Sequence, residues 1–218
     1  VRSVFSSILG LAGFGLLLFL PAGTLDYWQA WAFLAVLVGM SLVPTLYLNR
    51  IDPAAVERRR RAGPKAETRG VQKAVMTGVL ANFAAMLVVA GLDRRFGWSN
   101  VPVAVSVLGD FMVAVGLGLS MLVVFQNRYA AATITIEEGQ PLVTTGLYGI
   151  VRHPMYSASA VMMVGMALAL ASYWALLVVA VGVALLMVRI LDEETMLRHE
   201  LAGYEQYMGA VRYRLAPR

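Results

Sequence analysis

The sequence predicts an all-α polytopic transmembrane protein with about six membrane-spanning helices. Hydrophobic residues make up 59% of its 218 residues and charged residues 14%, a composition that is too apolar for an ordinary soluble domain. A helix needs about 17 to 25 apolar residues to cross a hydrocarbon core of roughly 30 Å. Six runs approach that length, at residues 4–20, 28–48, 74–92, 101–125, 154–171 and 173–191.

The first apolar run has two interpretations. Arg2 precedes it and the small residues Ala22 and Gly23 follow it, as in a signal peptide. Because the run is long and the rest of the chain is also membranous, we interpret it as a retained span.

Basic residues predict which span ends face the cytoplasm, because lysine and arginine near span ends are retained on that side. The loop at residues 50–73 is the most basic segment of the chain. If it is cytoplasmic, alternation leaves only Arg94 and Arg95 outside and places both termini and the site inside. Aromatic residues then fall at the outer interface, where amphipathic rings prefer to lie: Tyr27, Trp28, Trp98, Tyr173 and Trp174.

The basic loop and the net charge of +5 are interpreted as a solvated surface beside anionic lipid headgroups. We assign the loop no catalytic role and expect the lipid bilayer, and no nucleic acid, as a partner. The chain has no cysteine and only two histidines, His153 and His199. Thiolate chemistry is therefore excluded, and no metal is expected.

We predict a single membrane domain, residues 1–218, with four N-terminal spans in residues 1–125 and a functional core in residues 126–218. Residues 126–153 are more polar: alternating threonine and isoleucine predict a short extended piece, and Gly139 to Pro141 a turn. After the sixth span, helical spacing continues through Leu197 and Leu201 and breaks near Gly203.

The last two spans are joined only by the short segment "SYW", so they must form a tight antiparallel hairpin. The start of one helix and the end of the other then meet at the same membrane boundary. The polar residues that this hairpin brings together are Arg152, His153, Tyr156, Arg189, Glu193 and Glu194.

Pro154 predicts that His153 lies at the start of a helix, because the missing proline N–H costs nothing in the first turn. Such a helix end favours a carboxylate or phosphate. Arg189 and Glu193 are four residues apart and share a helix face, whereas Glu194 is rotated by about 100°. Glu193 is therefore the better candidate to work with Arg189. The alternative is an ordinary ion pair at the interface.

Asp110 lies in the middle of the fourth span, where an ionisable group is costly and usually faces the bundle interior. It either lines the site or caps a neighbouring helix. Gly116 and Gly118, within "VGLGLS", lack a preceding strand and a third glycine. They indicate helix packing and not a dinucleotide-binding loop.

The pattern "GLYGIVRHPMY", then a helical hairpin, then "RILDEETML" and "GYEQYMGAVRYRLAP", resembles the isoprenylcysteine carboxyl methyltransferase family of integral membrane methyltransferases. The resemblance covers the chain from Gln126 onward, whereas the first four spans match only as hydrophobic segments. One position departs from the family pattern, which usually has glycine two residues after the tyrosine of RHPxY. This chain has Ala158 there.

The resemblance implies a cytoplasmic site for S-adenosyl-L-methionine. The methyl acceptor does not transfer with the motif, because acceptors vary within the family; we expect a lipophilic, isoprenylcysteine-like acceptor or a small molecule, methylated at a carboxyl oxygen. It implies that Arg189 receives the acceptor and that Glu193 and Glu194 complete the catalytic site. The cofactor contacts that it implies are Gln126, Gln140, Pro141, Leu142, Val143, Tyr148, Arg152, His153, Pro154, Met155, Tyr156, Tyr204 and Tyr207.

Two other functions are kept as alternatives. A membrane reductase of sterol-reductase-like architecture would use NADPH and would need a basic pocket for a phosphate, for which Arg128, Arg152 and Arg189 are candidates. A non-enzymatic transporter or assembly protein would carry interrupted helices in inverted halves, a pattern that we do not find in the sequence.

Overall fold

The computed structural model describes residues 2–60, 63–67, 69–130 and 140–217, and these residues are helical with connecting turns and no strand. The helices are α1 (Arg2–Ala22), α2 (Trp28–Ile51), α3 (Pro53–Arg60), α4 (Gly70–Phe96), α5 (Val103–Gln126), a 3-10 helix (Gly146–Gly149), α6 (Pro154–Ala169), α7 (Ala175–Glu200) and α8 (Tyr204–Ala210).

Each of the six apolar runs forms a helix, as predicted. Within the described residues, α2, α4, α5 and α7 are long and apolar enough to cross a membrane. Helix α6 is apolar but shorter, with 16 residues, and the apolar part described for α1 is Ala12–Ala22. The polytopic helical fold is confirmed. The extended piece predicted from the threonine and isoleucine pattern falls in residues 131–139, outside the described part of the chain.

Helices α5 and α6 pack with their backbones in contact, because glycine occupies the positions where they meet. A Cβ atom on Gly109 would lie 2.2 Å from the Ala169 nitrogen, and one on Gly165 would lie 2.9 Å from the Gly109 carbonyl oxygen. A Cβ atom on Gly116 would lie 2.8 Å from the Ala158 carbonyl oxygen. Gly116 therefore serves helix packing, as predicted. Ala158, which departs from the family pattern, is fully buried beside this interface.

The turn between α6 and α7 is fixed by a buried carboxylate from α4. Asp93 is 2% exposed and accepts hydrogen bonds from the Ser99 amide at 2.7 Å, the Ser99 hydroxyl at 2.7 Å and the Ser172 hydroxyl at 2.5 Å. The Tyr27 hydroxyl donates to the carbonyl oxygen of Leu170. These bonds hold the predicted antiparallel hairpin at one end. Its other end, where α6 begins and α7 ends, is called the site end below.

Candidate active site

A cavity of about 410 Å³ opens at the site end, within the size range of small-molecule sites. Its walls come from residues 140–143, Tyr148, the start of α6, the end of α7 and helix α8, with further residues from α4, α5 and the segment just after α5. Most of the predicted site residues line it: Gln140, Pro141, Leu142, Val143, Tyr148, Arg152, His153, Pro154, Met155, Tyr156, Arg189, Glu193, Tyr204 and Tyr207. The hairpin thus brings together residues distant in sequence, as predicted.

One wall of the cavity is apolar and reaches between four helices. Its residues belong to α4, α5, α6 and α7 and are Met76, Val79, Leu117, Met162 and Leu186. These residues were not predicted from the sequence, because apolar side chains in a membrane helix carry no signal that distinguishes a cavity wall from ordinary packing. The cavity therefore joins a polar end to an apolar end.

The start of α6 forms part of the polar end. His153 is the N-cap residue and Pro154 occupies the first turn, as predicted, so Met155 presents the first amide N–H of the helix. An N-terminal amide and the helix dipole favour an anionic group at this position. Arg152 and His153 are buried, at 6% and 5% exposure.

Glu194 is a buried carboxylate that contacts several basic side chains near the start of α6. It is 2% exposed and accepts hydrogen bonds from Arg152 Nε at 2.8 Å and Arg214 Nε at 3.0 Å. His153 Nε2 lies 3.2 Å from the same carboxylate. Glu193 lines the cavity but Glu194 does not, which agrees with their predicted rotation on the helix. Whether Glu194 takes part in catalysis stays a prediction.

Arg152 also fixes the tail that follows α8. Its Nη1 donates to the carbonyl oxygens of Val211 and Arg212, both at 2.8 Å. The amide of His153 donates to the carbonyl oxygen of Arg214 at 3.0 Å. The tail is therefore bound to the start of α6 by backbone and side-chain hydrogen bonds. This contact holds α8 and its tyrosines beside the cavity.

Arg189 and Glu193 are linked through a tyrosine on α6. The Tyr156 hydroxyl donates to Glu193 Oε2 at 2.6 Å and accepts from Arg189 Nε at 3.0 Å. All three side chains line the cavity. The polar wall thus contains a cation, a phenol and a carboxylate that are linked by hydrogen bonds in that order.

The remaining nitrogens of Arg189 face the start of α4 and the segment before it. Nη1 donates to Gln72 Oε1 at 3.1 Å, and Nη2 donates to Glu67 Oε1 at 2.8 Å. Glu67 is 3% exposed and Gln72 is fully buried. The interpretation of the whole loop at residues 50–73 as a solvated surface is therefore wrong for these two residues. The sequence carried no signal that singled them out, because Asp52 and Glu57 are also acidic residues of this loop.

Three further tyrosines that line the cavity lie near helix α8 and the 3-10 helix. The Tyr207 hydroxyl donates to the carbonyl oxygen of Tyr148 at 2.7 Å, and burial raises the pKa of Tyr207 to about 12. Burial also raises the pKa values of Tyr148 and Tyr204 above the ordinary value for a phenol. All three rings therefore stay neutral at pH 7, as hydrogen-bond donors and as faces that attract a cation.

Tyr204 has a buried hydroxyl with no hydrogen-bond partner among the described residues. Its side chain lines the cavity. Because buried polar groups are nearly always hydrogen-bonded in native proteins, this hydroxyl fits a partner supplied by a bound ligand.

Gln126 and Asp110 lie outside the cavity wall. Gln126 Oε1 accepts a hydrogen bond from the Leu147 amide at 2.9 Å and packs against Gly146, whose φ of +62° favours glycine. Gln126 therefore shapes the 3-10 helix that carries Tyr148. Gln126 was predicted to contact the cofactor, but it does not line the cavity. Asp110 is not among the residues that line the cavity, so the interpretation that it lines the site is not supported. Its Oδ1 atom is buried without a hydrogen-bond partner among the described residues.

Residues 104–202 match the phospholipid methyltransferase family. That family includes integral membrane methyltransferases related to the isoprenylcysteine enzymes, so the resemblance found in the sequence is confirmed. No curated protein matches the chain.

The match to the phospholipid methyltransferase family begins in α5 and ends just after α7. It therefore includes Tyr148, the start of α6, Tyr156, Arg189 and Glu193. Residues 67 and 72, which hold Arg189 from the other side, lie outside the match. No group of three or more residues suited to bind a metal is present among the residues that the structure describes.

Proposed function

We propose that the protein is an S-adenosyl-L-methionine-dependent methyltransferase that acts on a lipophilic acceptor at the membrane surface. The observation that carries this proposal is the cavity itself, which joins a polar, tyrosine-lined end to an apolar wall between four helices. A polar cofactor and an apolar acceptor need such an arrangement, because each must meet a surface of its own polarity. The family match supports the methyl-transfer chemistry.

The polar end fits the cofactor by its donors and by its aromatic rings. Tyr148, Tyr204 and Tyr207, with residues 140–143 and the start of α6, would hold S-adenosylmethionine, which supplies an activated methyl group. The unpartnered hydroxyl of Tyr204 offers a hydrogen bond to it. The Met155 amide at the helix start suits a carboxylate, and a neutral tyrosine ring suits the sulfonium cation.

The protein's own part in methyl transfer is alignment and exclusion of water. Displacement at a methyl group is an in-line reaction that depends on near-attack geometry. The apolar wall excludes water from the acceptor, while Arg189, Tyr156 and Glu193 orient its polar group. A nucleophile that is stripped of water and fixed in direction needs no further chemical group from the protein when it is already ionised.

The reacting group of the acceptor is a narrower part of the proposal. A carboxyl oxygen, as the isoprenylcysteine resemblance implies, would be held by Arg189 in a forked geometry. The match to the phospholipid methyltransferase family supports a lipid as the acceptor molecule. A carboxylate that binds at Arg189 has to share its guanidinium with Glu67, which lies 2.8 Å away.

We place the site end at the cytoplasmic face. Helix α2 ends at Ile51 and α4 begins at Gly70, and Gln72 contacts α7 beside the cavity. The basic loop therefore lies at the same end as the cavity, which is the end that the distribution of lysine and arginine predicts to be inside.

The reductase alternative is disfavoured by the partners of its candidate arginines. Arg152 pairs with Glu194 at 2.8 Å and Arg189 with Glu67 at 2.8 Å. Arg128 lies 3.6 Å from Asp52 and its side chain is 72% exposed. A 2'-phosphate at Arg152 or Arg189 would thus have to compete with a buried carboxylate, and Arg128 is not among the residues that line the cavity.

Transfer of labelled methyl groups tests the proposal. Detergent-purified protein is mixed with methyl-labelled S-adenosylmethionine and a total membrane lipid extract, and label is counted in the organic phase. We expect transfer by the unchanged protein and its loss in Leu117→Trp, which fills the apolar wall. Leu122→Trp is the matched control, since Leu122 is exposed on the same helix. Equal transfer by both variants would contradict the assignment of the apolar wall to the acceptor.

A further inference from the structure

Glu67 lies outside the cavity wall and forms an ion pair with the guanidinium of Arg189. Its side chain is 1% exposed, that of Arg189 is 5% exposed, and the two are 2.8 Å apart. Arg189 lines the cavity whereas Glu67 does not. The cation that faces the ligand space is therefore already paired with a buried carboxylate that belongs to the chain.

The pair is held in place by a second set of contacts. Gln72 accepts from Arg189 Nη1 at 3.1 Å, and its own amide donates to the side chain of Asp192. Arg69 forms a salt bridge with Asp192 at 2.6 Å. The residues that follow Glu67 are thus bound to α7 at Arg189 and Asp192. These contacts keep the Glu67 carboxylate beside the Arg189 guanidinium.

A second carboxylate at Arg189 would meet the charge of Glu67. The Glu67 carboxylate and the bound carboxylate would both be shielded from water. Repulsion between like charges is screened least in such surroundings. The cavity also holds Glu193, which adds another negative charge within the same wall. An anionic acceptor therefore gains less from Arg189 than it would gain from an arginine with no carboxylate beside it.

We propose that Glu67 is a specificity-determining residue that lowers the affinity of the cavity for anionic acceptors by occupying Arg189. The proposal rests on the proposed function, since it assigns Arg189 to the acceptor end of the same cavity. It gives the segment before α4, which lies outside the family match, control over which lipids the site accepts.

Binding of two matched probes to purified protein tests this proposal. Palmitate is the anionic probe and hexadecanol the neutral probe, titrated in a nonionic detergent with and without S-adenosylhomocysteine. In Glu67→Gln, which keeps the size and loses the charge, palmitate should bind about ten times more tightly or better, since like-charge contact is costly. Hexadecanol binding should not change. Glu200→Gln, an exposed change on the same helix as Arg189, should leave both affinities unchanged.

A shorter acid keeps the test decisive if the neutral variant does not fold. Glu67→Asp retains the charge but withdraws it from Arg189, so palmitate affinity should rise by a smaller factor, with hexadecanol again unchanged. Equal changes for the two probes, or no gain for palmitate, in whichever variant is folded, would overturn the proposal. If S-adenosylhomocysteine does not bind, that result counts against the proposed function but not against the role of Glu67. The comparison of palmitate with hexadecanol is also made in the absence of S-adenosylhomocysteine.

Discussion

Two neighbouring glutamates on α7 have opposite surroundings. Glu194 is buried and is surrounded by Arg152, His153 and Arg214. Glu193 lines the cavity and accepts a hydrogen bond from Tyr156. The difference indicates that these two glutamates of one helix have different roles, one structural and one at the ligand space. A carboxylate enclosed by cations holds the architecture together, whereas one that faces a ligand space with a single phenol beside it is available to a ligand.

The largest expected effect is loss of the fold in Glu194→Ala. Removing this carboxylate leaves Arg152 buried without its counter-charge, which destabilises a protein by about 3–5 kcal/mol. We expect a large drop in thermal stability of the detergent-purified protein, with cofactor binding lost at the same time. A variant that melts like the unchanged protein but transfers no methyl groups would instead place Glu194 in the chemistry.

The next effect is loss of methyl transfer without loss of stability in Glu193→Gln. The carboxylate borders the cavity, so its neutralisation should disturb acceptor alignment and lower kcat by about 100-fold. The melting temperature and S-adenosylhomocysteine affinity should stay close to those of the unchanged protein. If Glu193→Gln unfolds as readily as Glu194→Ala, the contrast between the two residues disappears.

A smaller effect is expected for Tyr156→Phe, which removes the hydroxyl between Arg189 and Glu193. Loss of two hydrogen bonds should lower stability by about 1–2 kcal/mol. Steady-state methyl transfer should fall by about 10-fold, because the acceptor is then less well oriented. Unchanged kinetics would show that the link from Arg189 to Glu193 has no part in the reaction.

The smallest effect is a selective loss of cofactor affinity in Tyr204→Phe. The hydroxyl has no partner among the described residues, so its removal should leave the melting temperature unchanged or slightly higher. Binding of S-adenosylhomocysteine should weaken by about three- to ten-fold, the worth of one hydrogen bond. Tyr207→Phe is the contrasting variant, because its hydroxyl bonds to Tyr148 and its loss should lower stability.

The sequence predicted the parts of this site that depend on local geometry. The short "SYW" connection required a hairpin that joins Arg152 to Glu194, and the helical repeat separated Glu193 from Glu194. The contact between Glu67 and Arg189 spans 122 positions of sequence and depends on how an irregular segment folds over α7. No periodicity encodes such a contact. The tail position of Arg214 escaped prediction for the same reason.

Calorimetric titration with S-adenosylhomocysteine tests whether the cavity at the site end binds the cofactor. The proteins compared are the unchanged chain and Val143→Trp, which fills the polar end of the cavity, each checked for folding by gel filtration and thermal melting. We expect saturable binding of one molecule per chain and its loss in the folded variant. Well-folded, unchanged protein that binds none, or a variant that binds as well as the unchanged protein, would contradict a cofactor site in this cavity.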